Sequence, residues 1–237
     1  MTNPYDRLSS RKRSWTPVQT TAGDLVEGSD GVIRRALALR HMELPVGSFI
    51  KDALHEVPKA SHDLLASNVR DEEKHDLALN YVAQALGTDP AAEQEAMQLR
   101  KAWIGHHDHT VLKALVAERS IFFVLLQLFR FLGDAGLRTT SADISRDEQV
   151  HVACNTLVCR DLGLTPSPSL DKLRKATIHW VLEPLGQSEN KYLDRQFWAD
   201  ASDHLMYQGK APELADTRRA RMPAFFEHSN TNLPSYA

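Results

Sequence analysis

The chain has 237 residues, of which 42% are hydrophobic and 25% charged, and its formal net charge is −3. That length can bury a good-sized core, and the charge is too small to draw in nucleic acid or a membrane surface. Two cysteines, Cys154 and Cys159, cannot build a disulfide framework and are expected as buried thiols in a reducing compartment. The N-terminus is basic with no apolar stretch behind it, and the longest apolar run, Ile121 to Leu132, is interrupted by Arg130. The expectation is a cytoplasmic protein with neither a membrane nor a nucleic-acid partner.

Residues 1–28 are polar and without clear periodicity, and are read as an N-terminal arm. Residues 29–210 carry helical patterns. The first predicted helix starts at the N-cap pair Ser29-Asp30 and runs through Val32, Ala36, Leu39, Val46 and Ile50 to Val57, kinked at Pro45 and closed by Pro58. A second runs from Lys59 or Ser61 to Leu86, with Gly87 as its stop. Asp89-Pro90 opens a third, long pattern that breaks near Gly105 and ends at Gly133, and its second half is apolar almost all round. A fourth is expected from Ser141 to Leu162, and two amphipathic helices near 169–185 and 190–208. Residues 211–237 read as a C-terminal tail. Alternating strand patterns are almost absent, so the class is all-α: a helical bundle with additional C-terminal helices.

One hexapeptide pattern occurs twice. Arg70-Asp71-Glu72-Glu73-Lys74-His75 and Arg146-Asp147-Glu148-Gln149-Val150-His151 both read R-D-E-x-x-H. On a helix, positions i and i+3 share a face, so each Glu-x-x-His pair can grip a metal ion from one side. Di-metal bundles complete the site with one glutamate from each of two further helices. Counting back across the turn at Val57-Pro58 places Glu43 level with Glu72. Glu56, the other carboxylate in that helix, is displaced along the axis by about 20 Å. In the second hairpin Glu118 precedes Glu148 by 30 residues, against 29 between Glu43 and Glu72. Glu118 also stands alone as an acid in an apolar helix, where an uncompensated charge is costly. The predicted metal ligands are therefore Glu43, Glu72, His75, Glu118, Glu148 and His151. Four carboxylates balance two divalent ions, and mixed oxygen and imidazole ligation suits iron or manganese. Asp71 and Asp147 are natural acceptors for the ring N–H of a ligating histidine. His106, His107 and His109 form a second cluster, expected to be exposed at a helix break. Arg70 and Arg146 are expected in surface or interhelix ion pairs, and Phe122, Phe123, Phe129 and Phe131 in the core.

With these residues in view, the chain resembles the ferritin-like di-iron carboxylate superfamily over roughly residues 32–162. ISRDEQVHVACNTLV is most similar to the last metal-binding helix of ribonucleotide reductase small subunits. The resemblance implies a ferritin-like four-helix bundle, two Fe ions or a Mn/Fe pair on those six ligands, and O2 as co-substrate. The stretch between Glu72 and Glu118 is shorter than in that family, and Leu79 stands where its radical-forming tyrosine is expected, four residues after the first ligating histidine. Chain length and ligand spacing are more similar to compact relatives such as the aldehyde-deformylating oxygenases. The function expected is a non-haem di-iron oxygenase or oxidase acting on a small organic substrate of partly hydrophobic character. Electrons would come from a reductase or ferredoxin, since no flavin or nicotinamide fingerprint is present. A homodimer is compatible with this reading. The alternatives are a radical- or oxidant-generating subunit serving a partner protein, and ferritin-like iron oxidation and handling.

Overall fold

The computed structural model describes residues 3–208, and they form helices joined by turns and by longer segments at 10–29 and 183–194. The helices are α1 (Pro4–Ser9), α2 (Asp30–Ala38), α3 (Glu43–Ala53), α4 (His62–Leu86), α5 (Pro90–Gly105), α6 (Thr110–Ala117), α7 (Phe123–Leu132), α8 (Ala135–Asp161), α9 (Pro168–Leu182) and α10 (Arg195–Gln208). No strand occurs among the described residues; the nearest approach is an isolated bridge between Gly186 and Asp194. No helix among them is long and apolar enough to cross a membrane. The expected tail, 211–237, lies outside the described residues.

The central bundle consists of α3, α4, the continuous α6–α7 arm and α8, packed α3 on α4, α6 and α7 on α8, and α4 on α8. Its core packing is apolar, with Ile50, Leu65, Leu128, Phe129 and Leu132 at 1% exposure or less. Around it, α2 packs on α5, α7 and α9, and the α9–α10 hairpin closes over the junction of α6 and α7. Trp103 of α5 is fully buried and donates its indole N–H to Thr177 of α9 at 3.0 Å, tying the outer layer together.

The helix boundaries follow local chemistry. Asp89 caps α5 by accepting from the backbone N–H of Ala91 at 2.9 Å, with Pro90 at the first helical position. Gly87 ends α4 at φ +80°, a conformation open to glycine, and Arg34 donates to the carbonyls of Leu86 and Gly87.

Several boundaries differ from the sequence reading. The first predicted helix is two, because residues Leu39–Met42 tighten into a 3-10 turn before α3 starts at Glu43. Pro45 then lies in the first turn of α3, where an absent N–H forfeits no helical bond, so the break precedes the proline. That helix stops at Ala53, before Val57. The fourth begins at Ala135, before Ser141, because Asp134 caps it by accepting from the N–H of Leu137 at 2.8 Å. The break at Gly105 is as expected, but α6 and α7 are joined by a π turn, Glu118–Phe122, in which the N–H of Phe123 bonds the carbonyl of Glu118. The N-terminal arm contains α1, which buries Tyr5 and Leu8 against the bundle.

A buried carboxylate and histidine centre

Helices α4 and α8 run antiparallel through the bundle and bring the two R-D-E-x-x-H segments face to face. Glu72, His75, Glu148 and His151 are fully buried, as is Glu118 at the start of the π turn, while Glu43, the first residue of α3, is 4% exposed. Glu43, Glu72, His75 and Glu148 place a potential ligand atom each within 4.8 Å of one another, and Glu72, Glu118 and His151 do the same. Glu72 belongs to both groups. Its two oxygens divide, Oε2 lying 3.5 Å from His75 Nδ1 and Oε1 3.0 Å from His151 Nδ1. Glu148 Oε1 stands 3.2 Å from His75 Nδ1 and 3.7 Å from His151 Nδ1. Glu43 approaches His75 at 3.7 Å and Glu118 approaches His151 at 3.9 Å. The arrangement is thus two half-sites, one closed by Glu43 and one by Glu118, sharing Glu72 and Glu148.

The outer nitrogens of the histidines are held crosswise. His75 Nε2 on α4 lies 3.3 Å from Asp147 Oδ2 on α8, and His151 Nε2 on α8 lies 3.2 Å from Asp71 Oδ2 on α4. A carboxylate acceptor requires the proton on Nε2 and leaves the Nδ1 lone pair aimed inward. Asp147 also accepts from Trp15 Nε1 at 2.7 Å, and the Trp15 ring stacks on His75 with centroids 6.1 Å apart. Asp71 is held by Lys12, which also reaches Ser67 at 2.9 Å, and by Lys74 at 2.7 Å. Asn155 of α8 donates its amide to Glu118 Oε2 at 2.7 Å.

Electrostatics divide the acids. Burial raises Glu43 and Glu118 well above the usual carboxylate range, and neighbouring carboxylates add to it. Burial would raise Glu72 too, but the two histidines reverse it and bring it to about 2. Burial opposes the charged form of His151, yet Glu148, Asp71 and Glu72 push it up to about 10, and His75 is raised in the same way by Asp147, Glu148, Glu43 and Glu72.

The donor set fits metal ions on a further ground. Glu43 Oε2, both oxygens of Glu72 and of Glu148, Glu118 Oε1, and Nδ1 of both histidines are buried with no hydrogen-bond partner. Buried polar atoms are almost always partnered, and these all converge on one space. The cluster could hold a pair of metal ions.

The histidines beyond α5 are engaged as local partners: His106 Nδ1 accepts from the N–H of Asp108 at 3.2 Å, and His109 caps α6 through Val111. His106, His107 and Asp108 nevertheless come close enough to count as a second, more exposed group. Arg146 pairs with Asp143 of its own helix at 2.8 Å, and Arg70 is exposed. Both cysteines are free and buried. Sequence reasoning missed Lys12, Trp15 and Asn155. Asn155 was findable, because it follows His151 by one helical turn on the same face; nothing local marks Lys12 or Trp15.

Comparison with known proteins gives one useful match. The solved structure of a provisionally assigned class I ribonucleotide reductase from Bacillus halodurans superimposes with a TM-score of 0.58, covering 90% of this chain and 93% of that one. The fold is ribonucleotide reductase-like. Sequence identity between the two is 12%, so the likeness concerns the fold, a ferritin-like one, and not the activity. No family profile and no curated protein matches the chain. Within this ribonucleotide reductase-like fold the buried carboxylate and histidine cluster sits between α3, α4, α6–α7 and α8, an arrangement that could hold a di-metal site.

Proposed function

We propose that the protein is a non-haem di-iron oxygenase or oxidase that activates O2 and oxidises a small organic substrate. The observation that carries the reading is the convergence of unpartnered buried oxygens and imidazole Nδ1 atoms from Glu43, Glu72, His75, Glu118, Glu148 and His151. These six are the proposed ligands, and Glu72 and Glu148 are the residues common to both half-sites. Bound iron would supply the redox chemistry with O2. The chain's own residues do the rest. Asp147 and Asp71 hold each histidine with its lone pair inward, Asn155 fixes one oxygen of Glu118, and the apolar side chains of α6 and α7 keep bulk water away. Burial of Glu43 and Glu118 keeps these carboxyls prone to take up a proton when their charge is uncompensated. The apolar surroundings favour a substrate with hydrophobic character, and a reductase or ferredoxin would supply electrons.

A second reading follows from the fold neighbour, whose name places it with the class I ribonucleotide reductases. In it the site generates a radical or oxidant for a partner subunit, with iron or a Mn/Fe pair. Leu79, buried four residues after His75, weighs against it, because no phenol stands at that position. Ferritin-like iron handling would need a closed shell, which a size measurement in solution detects. The deciding experiment is anaerobic iron loading followed by addition of O2, with metal content, O2 uptake and EPR read together. Two irons per chain and O2 consumption without a lasting radical are expected. A persistent radical or a preference for one Mn and one Fe would establish the second reading instead, and a chain that takes up no metal would refute both.

A further inference from the structure

The π turn that carries Glu118 is tied to helices outside the four-helix bundle. A switch from the i→i+4 to the i→i+5 pattern displaces carbonyls from their ordinary helical partners. Here the carbonyl of Ser120 accepts from the hydroxyl of Ser202 on α10 at 2.7 Å. Ser202 in turn accepts from Arg174 Nη1 on α9 at 2.8 Å. Arg174 is held at 2.7 Å by both Asp171 and Asp203. Ser120, Ser202 and Arg174 are all fully buried, so water cannot substitute for any of these bonds. A fully buried arginine is expensive, and this one spends a donor on orienting a serine that touches the backbone two residues from Glu118.

We infer that Ser202, oriented by Arg174, is a positioning residue for Glu118: the α9–α10 hairpin holds the π turn in the register that presents this carboxylate to the half-site of His151. Asn155 fixes the Glu118 carboxylate from α8, and Ser202 fixes its backbone from α10. The C-terminal hairpin, which a four-helix bundle does not need for its core, thereby acts on one half-site and leaves the Glu43 half-site untouched. The inference rests on the metal reading above.

The test is Co(II) titration of the metal-free full chain, followed by absorption spectroscopy under anaerobic conditions, comparing wild type with Ser202→Ala and Ser202→Thr. Loss of a partner that orients a ligand costs about 10-fold or more in metal affinity. Ser202→Ala is expected to weaken the second Co(II) equivalent by that factor and alter its ligand-field bands, with the first equivalent unchanged, and Ser202→Thr to restore both readouts. Far-UV circular dichroism checks that each variant is folded. Wild-type binding of both equivalents by Ser202→Ala would overturn the inference while leaving the metal site standing. Equal loss in both variants would assign the effect to packing at position 202 and would overturn it as well. Wild-type protein that binds no Co(II) would fail the metal reading itself.

Discussion

Replacing Glu118 by glutamine is expected to change thermal stability in opposite directions with and without metal. In the metal-free protein the Glu118 carboxylate is fully buried, faces the carboxylates of Glu148 and Glu72, and has Oε1 unpartnered. An unsatisfied buried polar atom costs about 1–3 kcal/mol. Burial holds the metal-free Glu118 carboxyl toward its protonated form; glutamine fixes that neutral state, keeps an oxygen for Asn155, and turns an amide donor toward neighbouring acceptors. A gain of about 2 kcal/mol corresponds to a rise of about 6 °C in Tm for a domain of this size. Metal reverses the order. Each ion at a thousandfold excess over its Kd adds about 4 kcal/mol, or about 12 °C. A chain that loads both ions therefore outruns a variant that has lost one by more than the variant's starting advantage. The variant should melt about 6 °C above wild type without metal and about 6 °C below it when loaded. Scanning calorimetry on chelated and on anaerobically Co(II)-loaded samples reads both comparisons. A variant less stable than wild type without metal, or an order that metal does not invert, would refute the account of the cluster as a set of acids held apart for ions.

Other perturbations bear on the same centre. Asp147→Asn and Asp71→Asn should each lower Co(II) affinity about 10- to 100-fold with the fold intact, because each carboxylate sets the tautomer of the opposite helix's histidine; calorimetric titration measures it. The metal-free protein should lose stability as pH rises from about 6.5, the ordinary histidine value, toward 10, since His151 is raised to about 10 and its charged form favours the folded state. Ligation requires neutral histidines, so the loaded protein should lack that alkaline loss, and urea melts across pH would show the divergence. Trp15 stacks on His75, so loading with Co(II) should quench its fluorescence, and Trp15→Phe should remove most of the quench. Unchanged quenching in that variant would place the ion away from His75.

The inner part of the site was legible because its determinants are periodic. Glu72 and His75, like Glu148 and His151, are one helical turn apart, and hairpin counting reached Glu43 because the α3–α4 connection, residues 54–61, has Pro58 near its centre. Glu118 was reached by counting too, but the π turn beneath it was not, since an i→i+5 bond leaves no compositional mark in an apolar run. The early start of α8 was hidden because Gly133 and Gly136 closely flank it, and glycine is a poor helix former. Gly133 is demanded by crowding, because a Cβ there would lie 2.4 Å from the carbonyl oxygen of Phe129. Gly136 packs on Thr20, where a Cβ would come within 3.0 Å. The arm was the largest gap. Lys12 and Trp15 act through contacts 59 and 132 residues away in sequence, and no local pattern encodes partners at that distance.

The crossed pairing of Asp71 with His151 and Asp147 with His75 also behaves as a gauge. Sliding α4 along α8 carries Asp71 and His75 together past His151 and Asp147, so no slide preserves either pair. A single residue of slip is about 1.5 Å, enough to break bonds of 3.2 and 3.3 Å. The spacing between the half-sites is therefore inherited from the axial alignment of two long helices. A substitution at the far end of α4 or α8 that nudged this alignment would retune the distance between the two half-sites while touching neither.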